Sequence, residues 1–343
     1  MVQKYFMGSI FTLVVGLMLA FFIGGLPALW ITLVLGILEV SLSFDNAIVN
    51  AKVLANMEDV WRKRFITWGM LIAVFGMRLI FPLLIVSITM WIDPVSSLLL
   101  AINEPEQYQH ILESVHTSVL AFGFSFLLMV SLNFFIDSEK EDHWLYNIEK
   151  YLVKFDVFDS LTILKKFEIN LIHSTIILVL TCVMYFIINQ LHGYDEAITF
   201  VLSSFFGLLL YILVDSIGNF LEVDTTAITV KTGIGSFLYL EVLDASFSFD
   251  GTISSFALTN NIFLIAIGLG IGAMAVRSLT LLMVDKGTIQ AYKFLEHGAF
   301  YAIFCLSIMM MISTVYMLPE AITGLVGAIL IGLSILCSMK ESN

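Results

Sequence analysis

About ten runs of roughly 20 apolar residues follow one another along this chain, the length a spanning helix requires. They cover approximately residues 6–24, 28–51, 65–92, 114–136, 169–190, 197–217, 232–259, 262–284, 297–317 and 319–338. Inside a bilayer every backbone N–H and C=O must be satisfied by the protein itself, so each run has to be helical. The expected fold is all-α: a polytopic membrane protein of about ten transmembrane helices. Composition agrees, with 59% of the 343 residues hydrophobic, 13% charged and a mean hydropathy of +0.97. A soluble domain would carry roughly a quarter charged residues. The net charge of −12 argues against nucleic acid as a partner. Cys182, Cys305 and Cys337 lie in apolar runs without C-x-x-C spacing, so neither a disulfide framework nor a thiolate site is expected. The first run has one basic flanking residue, Lys4, and no small-x-small cleavage site. It reads as a retained helix rather than a signal peptide.

The longest polar interruption, 137–168, divides the chain into a first membrane half (1–136), a connector (137–168) and a second membrane half (169–343). Within the connector Leu145, Ile148, Leu152 and Phe155 recur at helical spacing, the pattern of an amphipathic surface helix. Lys and Arg set orientation. With the N-terminus inside and ten alternating spans, every Lys and Arg falls on the cytoplasmic side except Arg78 and Arg277, which lie within spans. Both termini and the connector are therefore expected in the cytoplasm, and the protein in a cell inner (plasma) membrane.

One stretch occurs twice. Glu39-Val-Ser-Leu-Ser43-Phe44-Asp45-Asn46 (39–46) and Asp244-Ala-Ser-Phe-Ser248-Phe249-Asp250-Gly251 (244–251) align on Ser-Phe-Asp, with a further acid six residues before the Asp in each. Glu241 adds a fifth carboxylate. In the ten-span topology the two copies run in opposite directions across the membrane. Each is followed by a span with one arginine, Gly69 to Arg78 and Gly268 to Arg277, the Gly nine residues before the Arg in both. An inverted-topology internal repeat with polar groups at mid-membrane is a secondary-transporter architecture.

Ionisable groups at that depth are costly and point to function. On an ideal helix Glu39, Ser43 and Asn46 share a face, as do Glu241, Asp244, Ser248 and Gly251. Asp45 and Asp250 lie about 120° away. A helix discontinuity near Ser-Phe-Asp, with Gly251 as a hinge, would bring the acids to one cavity. Five carboxylates against two arginines leave three unanswered charges, so either some acids bind protons or a cation sits among them. The available ligands are oxygens, with Glu39, Asp45, Asn46, Asp244 and Asp250 as the metal-holding set and Ser43, Ser248, Glu241, Arg78 and Arg277 in support. Such ligands suit Mg2+, Ca2+ or Mn2+ better than copper or zinc. The cation would be a substrate, with no cofactor bound permanently. The bland reading is that the acids simply pair with Arg78 and Arg277 and hold the bundle together.

At these residues the chain resembles the TerC family of integral membrane proteins and the wider superfamily of LysE-type exporters. Glu39, Ser43, Asp45 and Asn46 match that family's first signature. Asp244, Phe247, Ser248 and Asp250 match its second, and Gly251 stands where the family usually has Ser. The resemblance implies efflux of a divalent cation, manganese most often. Two other readings stay open: export of a small organic cation or amino acid, and a non-transporting intramembrane assembly partner. An enzyme is not expected. The partners are the bilayer and the metal ion, and a homo-oligomer is left open.

Overall fold

The computed structural model describes residues 5–69, 71–136, 142–145, 149, 165–220, 233–316 and 318–341. The side chains of 165–171, 218–220, 249, 250, 254, 290, 320 and 321 lie outside that description. The connector reading at 137–168, with its amphipathic helix, falls largely outside the described residues. The protein is all-α, and among the described residues there is no strand. In chain order the helices are α1 (Met7–Leu42), α2 (Phe44–Ala55) and α3 (Asp59–Arg64). Two π-helical segments, Phe65–Gly69 and Ile72–Ile80, lead into α4 (Phe81–Met90). Then come α5 (Pro94–Asn103), α6 (Pro105–Ser114), α7 (His116–Phe135), α8 (Lys165–Leu191), α9 (Tyr194–Phe220), α10 (Gly233–Ser255) and α11 (Ile262–Lys286). The chain closes with α12 (Thr288–Ala291), α13 (Leu295–Ser313) and α14 (Glu320–Glu341).

Eight helices among the described residues are long and apolar enough to cross a bilayer. Their outer faces carry large bare side chains such as Phe22, Trp30, Phe186 and Leu336. Apolar exposure on that scale belongs against lipid rather than water. This is a polytopic membrane protein. The sequence run at 6–24 and the first part of the run at 28–51 share one of the eight, α1, and the second run continues into α2. The run at 232–259 falls on α10, which is long enough but is set apart from the eight by three acids, Glu241, Asp244 and Asp250.

α1 is folded on itself. Its backbone leaves helical geometry at Gly24 (φ −151°, ψ 21°) and Gly25 (φ 68°, ψ −152°). The positive φ of Gly25 is open to glycine and strained for other residues, and Pro27 follows directly. A Cβ on Gly16 would sit 2.8 Å from Ile271, and one on Gly36 would sit 3.3 Å from the same side chain. On a straight helix those two positions would be about 30 Å apart. The arms 7–23 and 26–42 are therefore a helical hairpin, both packed on α11. The first arm runs against α11, from the Tyr5 hydroxyl on Asp285 through Ser9 on Ser278 to Ala20 on Leu264. The second runs with it, Leu35 meeting Gly268 and Glu39 meeting Gly272.

The chain forms two compact units, each drawing on segments before and after the connector. One comprises Met1–His116 and Leu221–Gly287, the other Thr117–Phe220 and Thr288–Asn343. In the second unit α8 pairs with α9 and α13 with α14, and Phe134 stacks on Phe300 at 3.9 Å.

The first unit holds both acidic stretches. α11 is capped by Asn261, whose Oδ1 accepts from the N–H groups of Phe263 and Leu264, and is closed by Gly287 at φ 60°. Trp61 meets Gly233, Phe65 meets Phe237 and Gly69 meets Glu241, so the segment 59–80 runs in the direction of α10. Against α11 that segment runs the opposite way, Ile66 meeting Arg277 and Val74 meeting Ala273. Since the second arm of α1 follows α11, the helix bearing Glu39 and the helix bearing Asp244 point in opposite directions.

Candidate functional site

The first acidic stretch sits at a helix distortion. Ser43, at φ −101° and ψ 18°, separates α1 from α2, although Ser43 N–H still donates to Glu39 C=O and Ala47 N–H to Ser43 C=O. The second stretch differs from the expected hinge, because α10 continues through Gly251 to Ser255 without interruption. Thr252 and Ser255 donate their hydroxyls to the carbonyls of Ser248 and Gly251 one turn back, contacts that follow the helix across the glycine.

Arg78 is the centre of the site. It projects from the second π-helical segment, a backbone form that recurs where helices carry function, and its side chain is 2% exposed. One guanidinium nitrogen, Nη2, lies 2.5 Å from Glu39 Oε1, and Nη1 lies 3.5 Å from Asp244 Oδ2. Nη1 also donates to the carbonyl of Ala73, five residues back on its own π turn. Each acid is steadied by the serine one turn after it. Ser43 Oγ donates to Glu39 at 3.0 Å and Ser248 Oγ to Asp244 at 3.4 Å. The first acids of the two stretches thus share one arginine.

The remaining residues of the set are placed differently. Asp45 is buried and accepts the backbone N–H of Asn46 at 2.9 Å, with no basic partner among the described residues. Asn46 is buried with both side-chain polar atoms unpartnered. Asp250 lies within α10, and its side chain is outside the described residues. Gly251 faces the first stretch directly, a Cβ there falling 3.6 Å from Glu39 Oε2. Among the described residues Arg277 takes no acid; its Nη2 donates to the carbonyl of Ile66 at 2.7 Å. Among the described residues no three His, Cys, Asp or Glu side chains converge to hold a metal ion.

Beside Arg78 is a cavity of about 30 Å3, room for about two waters. Glu241, Asp244, Arg78, Arg277, Asn50 and Thr280 are among its lining residues. Glu241 is 7% exposed and neither carboxylate oxygen has a partner. Asn50 Oδ1 is also unpartnered. Gly69 makes space for Glu241, since a Cβ there would fall 2.6 Å from Oε1. Asn50 and Gly69 were not among the predicted site residues. The signal for Asn50 was present, because Asn46 and Asn50 are one turn apart on the same helix.

What the arrangement can do follows from its charges. Glu39, Asp45, Glu241 and Asp244 face two guanidiniums, which leaves two negative charges among these described side chains. Enclosed charge of that kind is held only if cations or protons answer it. No curated protein and no solved structure matches this chain. A family model described as "Protein of unknown function (DUF475)" matches residues 44–343, and the chain belongs to that family.

Proposed function

We propose that this protein is a secondary transporter that exports a small cation through the acidic site of its first compact unit. The observation that carries the reading is the shared guanidinium: Glu39 and Asp244, from two similar stretches on oppositely directed helices, both pair with the buried Arg78. An ion pair serving stability alone gains little from being placed in the apolar interior, where desolvation offsets most of its attraction. A site that must exchange one cation for another gains from a tethered positive charge that holds the acids when the substrate has left. In this reading Arg78 fills the place between Glu39 and Asp244 in one state and yields it in another.

The ten-span arrangement with an inverted repeat fits this mechanism. The hairpin in α1 supplies two spans, α10 supplies the acid-bearing one, and the opposed directions of the two acidic helices match alternating access around a fixed centre. The proposed substrate is a divalent cation, held by oxygen ligands from Glu39, Asp45, Asn46, Asp244 and Asp250, with proton exchange at one or more acids. The resemblance to TerC-like proteins favours manganese. The same resemblance extends to LysE-type exporters, which keeps a small organic cation as the second reading. We place the protein in an inner membrane with both termini cytoplasmic, so a reporter inserted in 137–168 should signal cytoplasm.

The test is flux into liposomes carrying the purified protein. Mn2+, Ca2+ or Mg2+ should move with the wild type and fail to move with Asp45→Asn or Asp250→Asn, both variants remaining folded. Wild-type flux in both would remove these residues from the site.

A further inference from the structure

We infer that Glu241 and Asn50 form a separate docking site for an inorganic divalent cation, next to the acids held by Arg78. The inference rests on the transporter reading and names where its substrate first binds. Glu39 and Asp244 already have a cation, the Arg78 guanidinium, at 2.5 and 3.5 Å. Glu241 has none. It is more than nine-tenths buried, both its oxygens are unpartnered, and it lines the cavity. Asn50, 8% exposed, presents a second unpartnered acceptor, Oδ1, to the same cavity. Asp244 is the third oxygen-bearing wall.

The ligand class follows from donors, size and charge. Carboxylate and amide oxygens are ligands for hard cations. A cavity of about 30 Å3 takes an ion with about one water and is too small for an amino acid. Each of the two guanidiniums on the walls bonds elsewhere through its Nη atoms, while Nε of each has no partner among the described residues. Arg78 is committed to Glu39 and Asp244, and Arg277 Nη2 to the Ile66 carbonyl. The described acids of the region outnumber its two guanidiniums, which favours a cation. Docked here, the ion lies beside Asp244 and competes with Arg78 for it.

The experiment is a titration of purified protein with Mn2+ and Ca2+, paired with flux in liposomes, for wild type, Glu241→Gln, Asn50→Leu, Asn50→Asp and Gly332→Ala. Wild type should bind one ion. Glu241→Gln and Asn50→Leu should each weaken binding at least about tenfold, and Asn50→Asp should bind as tightly as wild type or tighter, an outcome that damaged folding cannot give. Gly332→Ala in α14, where a Cβ meets nothing within 4 Å, should bind within about threefold of wild type. Wild-type affinity in both Glu241→Gln and Asn50→Leu overturns the docking site and leaves the transporter reading intact. No binding by wild type also overturns the site. Binding by wild type without flux overturns the transporter reading and leaves the site standing.

Discussion

Glu39 and Asp244 take opposite ends of one buried guanidinium, that of Arg78, although they belong to different halves of the chain. The pairing ties the second arm of α1, the π-helical segment and α10 together at a single side chain. Removing the arginine strands two acids in an apolar interior. Breaking a buried pair in this way costs about 3–5 kcal/mol. Arg78→Met should therefore lower the unfolding midpoint in detergent markedly. Adding Glu39→Gln and Asp244→Asn to Arg78→Met should restore most of the loss, because the two acids that Arg78 pairs are then neutral. If the triple variant is as unstable as Arg78→Met alone, the network is not what Arg78 stabilises.

The close approach of α1 to α11 rests on glycine. A Cβ on Gly272 would collide with Cβ and Cγ of Glu39, and one on Gly268 would lie 2.6 Å from Leu35 Cβ. Overpacking of this kind costs about 1–3 kcal/mol. Gly272→Ala should also displace Glu39 from Arg78 and reduce flux. Gly332→Ala in α14 meets nothing within 4 Å and should leave both stability and flux unchanged. Equal behaviour of Gly272→Ala and Gly332→Ala would contradict the packing described for α1 and α11.

The hairpin at Gly24–Gly25 has its own check. Ala20 and Ala28 gather on Leu264 from the two arms. In one uninterrupted helix they would be about 12 Å apart along the axis. In a variant without the native cysteines, Ala20→Cys with Ala28→Cys should cross-link readily with a short reagent. A pair that stays unlinked would favour a straight helix.

Much of this was legible in the sequence, and the reasons are physical. Apolar length reports a membrane helix directly, because the bilayer core sets a minimum run. The two acidic stretches stood out because carboxylates in such runs are rare. Arg78 and Arg277 were marked by the same contrast, but their different partners were not visible. Both look alike along the chain, yet among the described residues Arg78 meets two acids and Arg277 a carbonyl, and the π-helical geometry around Arg78 has no simple sequence signal. The break in α1 was half legible: Gly24, Gly25 and Pro27 punctuate the run, and only the contacts of Gly16 and Gly36 with Ile271 show a full reversal. The expected hinge at Gly251 failed because glycine permits a bend without requiring one, and the hydroxyls of Thr252 and Ser255 follow the helix there.

The most direct measurement is cation flux in liposomes reconstituted with wild type, Glu39→Gln and Asp244→Asn, each first shown to be monodisperse. The account predicts movement of a divalent cation by wild type and its loss, by at least about a hundredfold, in both variants. Each variant takes from Arg78 one of the two acids between which it must exchange. Undiminished flux in either variant, or none with wild type for Mn2+, Ca2+ and Mg2+ alike, would contradict it.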